Sequence, residues 1–419
     1  MRFGIASRSI VPPFRVRMWG YGDRSDLAEY ANDPLTFTAV VLEEGERRAL
    51  LGAADLGTFP QFETVSGFME DLGEIVGCPR DSVMLNASHT HGAPSPFDDQ
   101  YRNWLYEQAI DATEEALGSM EEGTLWYGEG KTGLPMNRRP ERNGAVVNAP
   151  NPGGPVDDRM RLLVFRRPTG EIAATGMSVA CHPVATGSQH LLTAEFAGAW
   201  RSAFGKVFGP DVTPFFLQGA GADSRPHHVA EGDHWRGMKH PELPGMGKEL
   251  LSETLKILLE APFIPIDDLT LVGRVETAVS PCQRIYATRE QLEALKDQSG
   301  RTGSYAQRCL ERLDKGEQVP DHAEFHVQTL WLNQSLALIG LDVEPLHALG
   351  MAIEASVAPR QAMVLGYTNG CIGYAMDGVE TLRGGGTEIH TYMSRGWSGP
   401  PEPGLEKVLA GAVHRNTGG

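Results

Sequence analysis

The sequence predicts an α/β fold of mixed β-sheets flanked by helices, with a metal site where strands end. Three observations point there. Short apolar runs alternate with amphipathic helical stretches along the chain. Several of these runs hand over to a polar residue with Gly or Pro close by, at Asp55, His89, His182, Asp223, Glu344 and Tyr374, and in α/β sheets ligands collect at strand ends. No internal repeat or low-complexity linker breaks the alternation, so residues 1–419 are expected to form one large domain.

Taken in order, residues 1–35 are rich in Arg, Pro and Gly and read as irregular. Residues 36–42 and 48–54 form a hairpin around Glu44-Gly45-Glu46. Helical spacing of Phe62, Val65, Phe68, Met69, Leu72 and Ile75 predicts a helix over 61–76, stopped by Gly77. A strand at 82–85 then completes a β-α-β unit, and a second amphipathic helix covers 101–120. Residues 129–158 read as a long loop, of the kind that is often functional. Strands at 161–166 and 172–181 follow; the second is almost continuously apolar or small, as in a buried central strand. A helix at 197–208 and a strand at 212–217 lead into Gln218-Gly219-Ala220-Gly221-Ala222-Asp223. Residues 227–244, with His227, His228, His234 and His240, look like a surface loop or lid. Helices are expected at 247–261 and 289–315, the latter interrupted near Ser299-Gly300. A hairpin around Asn333-Gln334 hands over to Asp342-Val343-Glu344-Pro345 and a helix to about 357; a last strand spans 362–365, and a short helix follows Pro403.

Composition narrows the function. With 41% hydrophobic residues a sizeable core is possible. A net charge of −17 argues against a general nucleic-acid binder and against an anionic membrane surface as partner. No stretch is long and apolar enough to span a bilayer, and the opening residues lack the apolar core of a signal peptide. Five widely spaced cysteines without a CxxC pair suit reduced thiols, so a cytoplasmic location is expected.

The most informative stretch is Asn86-Ala87-Ser88-His89-Thr90-His91, followed by a Gly/Pro loop. In an extended backbone His89 and His91 point to the same side. They are then either a metal pair, or one ligand plus one acid/base, or two surface histidines. Two histidines and a carboxylate from different strands, such as His89, His182 and Glu344, form a common catalytic zinc set with one position left open. Zinc in such a set lowers the pKa of bound water and polarises a carbonyl, and His91 would relay a proton. Glu344 also fits a carboxylate favoured by a helix N-terminus, and Tyr374 a packed aromatic. Asp55 and Asp223 suit supporting or loop-capping roles. Ser224 lacks the glycine spacing of a nucleophile elbow.

Six segments in this order resemble the catalytic domain of the neutral (non-lysosomal) ceramidase superfamily: Asn86-Ala87-Ser88-His89-Thr90-His91-Gly92, Asn137-Arg138, Ala180-Cys181-His182-Pro183, residues 218–223, Glu344-Pro345 and residues 369–374. The resemblance implies zinc held by His89, His182, Glu344 and Tyr374, His91 as acid/base, and Arg138 steadying a substrate carbonyl or oxyanion. Departures are equally plain. Where the family carries a serine after the Asp of the glycine loop, Arg225 stands, with Ser224 one place earlier. The family's catalytic tyrosine is missing from Gly384-Gly385-Gly386-Thr387. Without the family's C-terminal immunoglobulin-like domain and secretion signal, a divergent bacterial-type member is expected, one that keeps the metal and acts on something other than ceramide.

The expected function is therefore a zinc-dependent hydrolase of an amide bond in a small soluble substrate. Arg225, Arg138 and Arg139 would suit an acidic group on that substrate, although the sequence does not decide between Arg138 and Arg139, one of which is expected to face solvent. A zinc-dependent esterase or lactonase on the same site is the nearest alternative, and a non-catalytic ligand-binding member the next. Oligomeric state is not legible.

Overall fold

Three units build the architecture, each with three antiparallel strands followed by a helix that leads into a parallel strand. The computed structural model describes residues 1–22, 24 and 26–417. In the first unit β1 (Arg2–Ser9), β2 (Thr36–Glu44) and β3 (Arg47–Ala54) run antiparallel. Helix α1 (Phe62–Val76) then crosses to β4 (Val83–Ala87), which pairs parallel with β3. Gly77 ends α1 in the left-handed conformation (φ 77°), its N–H returning to Gly73 O. Helix α2 (Asp99–Gly118) lies alongside, its first turn capped by Asp98, which accepts from the Tyr101 N–H at 3.0 Å.

The second unit repeats the plan. Strands β5 (Thr124–Lys131), β6 (Arg159–Arg166) and β7 (Ile172–Val179) are antiparallel; helix α3 (Glu195–Phe208) leads to β8 (Thr213–Gln218), parallel to β7. Helix α4 (Leu243–Glu260) packs on α3. In the third unit β9 (Val272–Pro281), β10 (His322–Trp331) and β11 (Leu336–Leu341) are antiparallel, and helix α5 (His347–Ser356) leads to β12 (Gln361–Leu365), parallel to β11. Helix α6 (Leu405–Thr417) covers this sheet with α5. The mixed sheets flanked by helices match the class expected from the sequence. The threefold plan has no counterpart in an internal sequence repeat.

Alternation along the strands explains the packing. Val40, Leu42, Leu51 and Met84 from the first sheet, Leu163, Phe165, Phe215 and Leu217 from the second, and Leu330, Leu338, Met363 and Leu365 from the third form one buried cluster between the sheets. The other faces receive the helices: Phe37, Ala39 and Val41 meet α1 and α2, and Met160, Leu162 and Val164 meet α3 and α4.

At the C-terminal ends of the parallel strands the units meet on Asn86. Its Oδ1 accepts from the Gln218 N–H at 2.8 Å, and its Nδ2 donates to Gly366 O at 2.7 Å and to Thr368 Oγ1 at 3.0 Å. One buried amide thus links β4, the end of β8 and the turn after β12.

Two expectations are corrected. Residues 2–9 are not irregular: they form β1, whose partner β2 supplies the ladder, while Arg2 and Arg8 are held by Glu43 and Glu115. Residues 129–158 are not a single loop either. β5 continues to Lys131, and Pro135–Asn137 pairs with Ser224–Pro226. Both pairings are made with distant segments, which local composition does not report.

Candidate metal centre

β4 ends at Ala87 and the chain turns at once: His89 has φ 65°. The extended-strand argument for His89 and His91 therefore does not apply, yet the rings still converge. Their planes cross at 82°, and the two Nε2 atoms lie 3.4 Å apart. His182 follows β7, and its Nε2 is 2.9 Å from that of His89. Glu344 opens from the end of β11 and sets Oε2 3.2 Å from His89 Nε2 and 3.8 Å from His182 Nε2.

The protonation of His89 follows from its partner. Nδ1 faces the Gly57 carbonyl at 2.7 Å, and a carbonyl can only accept, so Nδ1 carries the hydrogen. Nε2 is left with its lone pair, aimed into the cluster, as a metal ligand requires. Glu344 Oε2 is buried without a hydrogen-bond donor among the described residues. Metal–ligand distances of about 2.0–2.2 Å place donor atoms roughly 3.3 Å apart around a tetrahedral ion. The 2.9–3.8 Å spacings observed bracket that value. The donor set thus fits a divalent ion. Among the described residues His89, His91 and His182 also form a group whose ring nitrogens are mutually close enough to share one. Burial first, then the neighbouring His89, holds His91 and His182 far below the usual histidine range.

Tyr374 reaches the site through a short parallel ladder that pairs Glu344 with Tyr374. Its hydroxyl accepts from Arg138 Nη2 at 3.1 Å. Burial, then the Glu344 carboxylate, pushes its phenol well up. A cation at the cluster would act in the opposite direction. Arg138 also donates to Glu388 at 3.0 Å and spreads over the Tyr374 ring at 5.6 Å. Burial works against its charge, but Tyr374 and Glu388 outweigh that and hold it above its ordinary value. Its Nε–H has no acceptor among the described residues. The expectation that Arg138 or Arg139 faces solvent is corrected: both are buried, and Arg139 is fixed between Glu380 and Glu388 at 3.0 and 2.5 Å.

The other polar residues at strand ends are supports. Asp223 accepts from the His347 N–H at 3.0 Å and from its ring, capping α5 just beyond Glu344, while its carbonyl accepts from the Arg138 N–H at 2.9 Å. Asp55 accepts from the Thr36 N–H at 2.7 Å and pairs with Arg201. The Ser224 hydroxyl donates to Ala180 O at 2.8 Å. Gly386 (φ 71°) has a structural reason: a Cβ there would come within 2.3 Å of Glu388 Oε2. His227 and His228 lie with Glu249 apart from these residues, on the partly exposed segment before α4.

Sequence reasoning missed one wall of the site. Trp19 meets His89 and His91 edge-on at 4.9 and 5.0 Å, Tyr21 meets His91 at 4.8 Å, and Arg24 donates to His91 O at 2.8 Å. Tyr367 stacks on His89 at 4.0 Å. The signal was an unusual density of Trp, Tyr and Gly at 19–22, which an irregular segment has no packing reason to carry. Gly57 leaves room for Trp19, whose ring would lie 1.9 Å from an added Cβ. A cleft of about 370 Å³, lined by Trp19, Phe97, Glu344, Tyr374 and Arg395 among others, opens onto Glu344 and Tyr374.

Gly221 ties this geometry to the backbone. A Cβ there would lie 2.3 Å from Ala180 C and Cys181 N, in the segment that carries His182. Gly221→Ala is expected to cost about 1–3 kcal/mol, the range for overpacking, and to weaken metal retention; denaturant titration and metal analysis on one preparation check both.

No protein-family model matches the chain, and no curated protein does. Solved structures do, among them two ceramidases. One is the crystal structure of neutral ceramidase from Pseudomonas aeruginosa, with a TM-score of 0.69 and 18% identity over 99% of this chain and 73% of that one. The other is a ceramidase complexed with C2, with a TM-score of 0.69 and 17% identity over 99% of this chain and 74% of that one. The chain thus has the fold of the neutral ceramidases, in a sequence far diverged from theirs.

Proposed function

We propose that the protein is a zinc-dependent hydrolase of an amide bond in a small substrate, with His89, His182, Glu344 and Tyr374 as the ligand set. The observation that supports it most directly is the convergence of the His89 lone pair, His182 Nε2 and the donorless Glu344 Oε2 within 2.9–3.8 Å of one another. When bound, zinc supplies Lewis acidity and a water of lowered pKa. The protein's own groups do the rest. Arg138, through the Nε–H that lacks an acceptor, holds the substrate carbonyl oxygen and the charge that develops on it. His91, kept neutral by burial and by its cationic neighbours, is ready to take a proton from the attacking water and pass it to the leaving nitrogen. The water oxygen joins the carbonyl carbon, the C–N bond breaks, and a carboxylic acid and an amine result. Trp19 and Tyr21 close the site from the side of His91.

His91→Ala separates its two available roles. It is expected to retain the metal while kcat falls by about 10²–10⁴-fold, the range for a positioned general acid/base. Loss of metal from this variant would make His91 a ligand instead, and full activity would remove it from the mechanism.

A further inference from the structure

Arg225 differs from its neighbours Arg138 and Arg139 in having no carboxylate partner among the described residues. Arg138 and Arg139 share Glu388, and Arg139 also has Glu380. Among the described residues Arg225 makes no ion pair, and its Nε is buried without an acceptor. Its guanidinium rests 5.4 Å above the Trp235 ring, in the 227–244 segment. Its position is set by the ladder in which Ser224–Pro226 pairs with Pro135–Asn137, next to Arg138. The residues just before it are tied to the histidine cluster and to Arg138: the Ser224 carbonyl accepts from the His182 N–H at 3.3 Å and the Asp223 carbonyl from the Arg138 N–H at 2.9 Å, so Arg225 leaves the backbone beside these residues. Tyr21 supplies a second donor: its ring packs on His91 at 4.8 Å, and its hydroxyl is buried with no partner among the described residues. A half-buried cation and a phenol, both with unused hydrogens, have been taken out of water without a protein acceptor in return, an arrangement that an anionic ligand relieves.

We propose that Arg225 and Tyr21 form an anion subsite beside His91, and that the substrate is an amide whose leaving amine carries a carboxylate a few bonds from the scissile nitrogen. The side follows from His91, which in the reading above serves the leaving nitrogen; the inference rests on that reading for the word amide, and on Arg225 and Tyr21 alone for the anion. The reaction balances as plain hydrolysis: water adds across the C–N bond, and an N-acyl amino acid yields a carboxylic acid and an amino acid.

The test uses the full chain loaded with zinc and matched pairs of N-acetyl-, N-octanoyl- and N-benzoylglycine and their primary carboxamides, read by calorimetric binding and by hydrolysis. The acid of at least one pair is expected to bind about tenfold or more tightly than its carboxamide, the discrimination a charge-assisted hydrogen bond supplies. Arg225→Gln should bring that ratio close to one, Arg225→Lys should restore part of it, and Tyr21→Phe should reduce it several-fold. Arg225→Gln should also melt no lower than the parent, since it removes an uncompensated charge; a purely structural arginine would lower the melting temperature and leave the ratio alone. Equal binding within every pair, no binding of any acid, or a ratio indifferent to Arg225→Gln each overturns the subsite. Preferential binding without turnover upholds the subsite and counts against the hydrolase reading, whereas turnover without preference does the reverse.

Discussion

His182→Ala and His89→Ala are each expected to emerge from purification without stoichiometric zinc and with activity reduced beyond the roughly 10–100-fold that loss of an outer-shell partner costs. The reason is in the donor geometry. The Nε2 atoms of these residues face each other at 2.9 Å, and Glu344 Oε2 completes the triangle without any protein donor of its own. Removing one imidazole leaves Glu344, Tyr374 and a single nitrogen, a set weakened enough for a chelator to strip the ion. Each variant should otherwise fold, because both histidines lie just beyond the strands that precede them and neither forms part of a ladder. Elemental analysis beside a circular-dichroism melt decides the matter: unchanged zinc in either variant would remove that residue from the ligand set. Treating the parent protein with a chelator should reproduce the loss of activity, and added zinc should reverse it in the parent but not in the variants.

Asn86→Ala should produce the largest loss of stability of any single polar substitution near the site. The amide is wholly buried and satisfies Gln218 N–H, Gly366 O and Thr368 Oγ1, which belong to the second and third units. Each buried group left unpaired costs about 1–3 kcal/mol, so a loss of several kcal/mol is expected from a fold whose whole margin is about 5–15 kcal/mol. Guanidinium unfolding should show the midpoint falling. Since Asn86 lies three residues before His89, weakened zinc retention should accompany it. An unchanged midpoint would mean that the sheets, not this amide, hold the strand ends together.

Much of the site was legible because strand ends carry chemistry-bearing residues in short, distinctive segments. His89, His91, His182 and Glu344 could be named before any contact between them was known, since they follow strand ends with Gly or Pro close by and fall in segments that resemble those of the ceramidase family. From the residues alone Arg138 and Arg139 could not be told apart: both reach Glu388, and it is the contact with Tyr374 that distinguishes Arg138. Trp19, Tyr21 and Tyr367 were not read as site residues, because what brings them to the site is packing against rings contributed from elsewhere in the chain.

The sequence by itself determined the local periodicities: which runs are strands, which are helices, where Gly77 stops α1, and which polar residues follow which strand. These are decided by side-chain size, branching and backbone freedom over a few residues. Only the tertiary structure decided that residues 2–9 form a strand, that three unlike segments adopt one hairpin-and-crossover plan, and that the strand ends converge on Asn86 and the histidine cluster. Those outcomes depend on pairing between distant segments and on burying one shared apolar layer. The free energy there belongs to the contact and not to either partner alone.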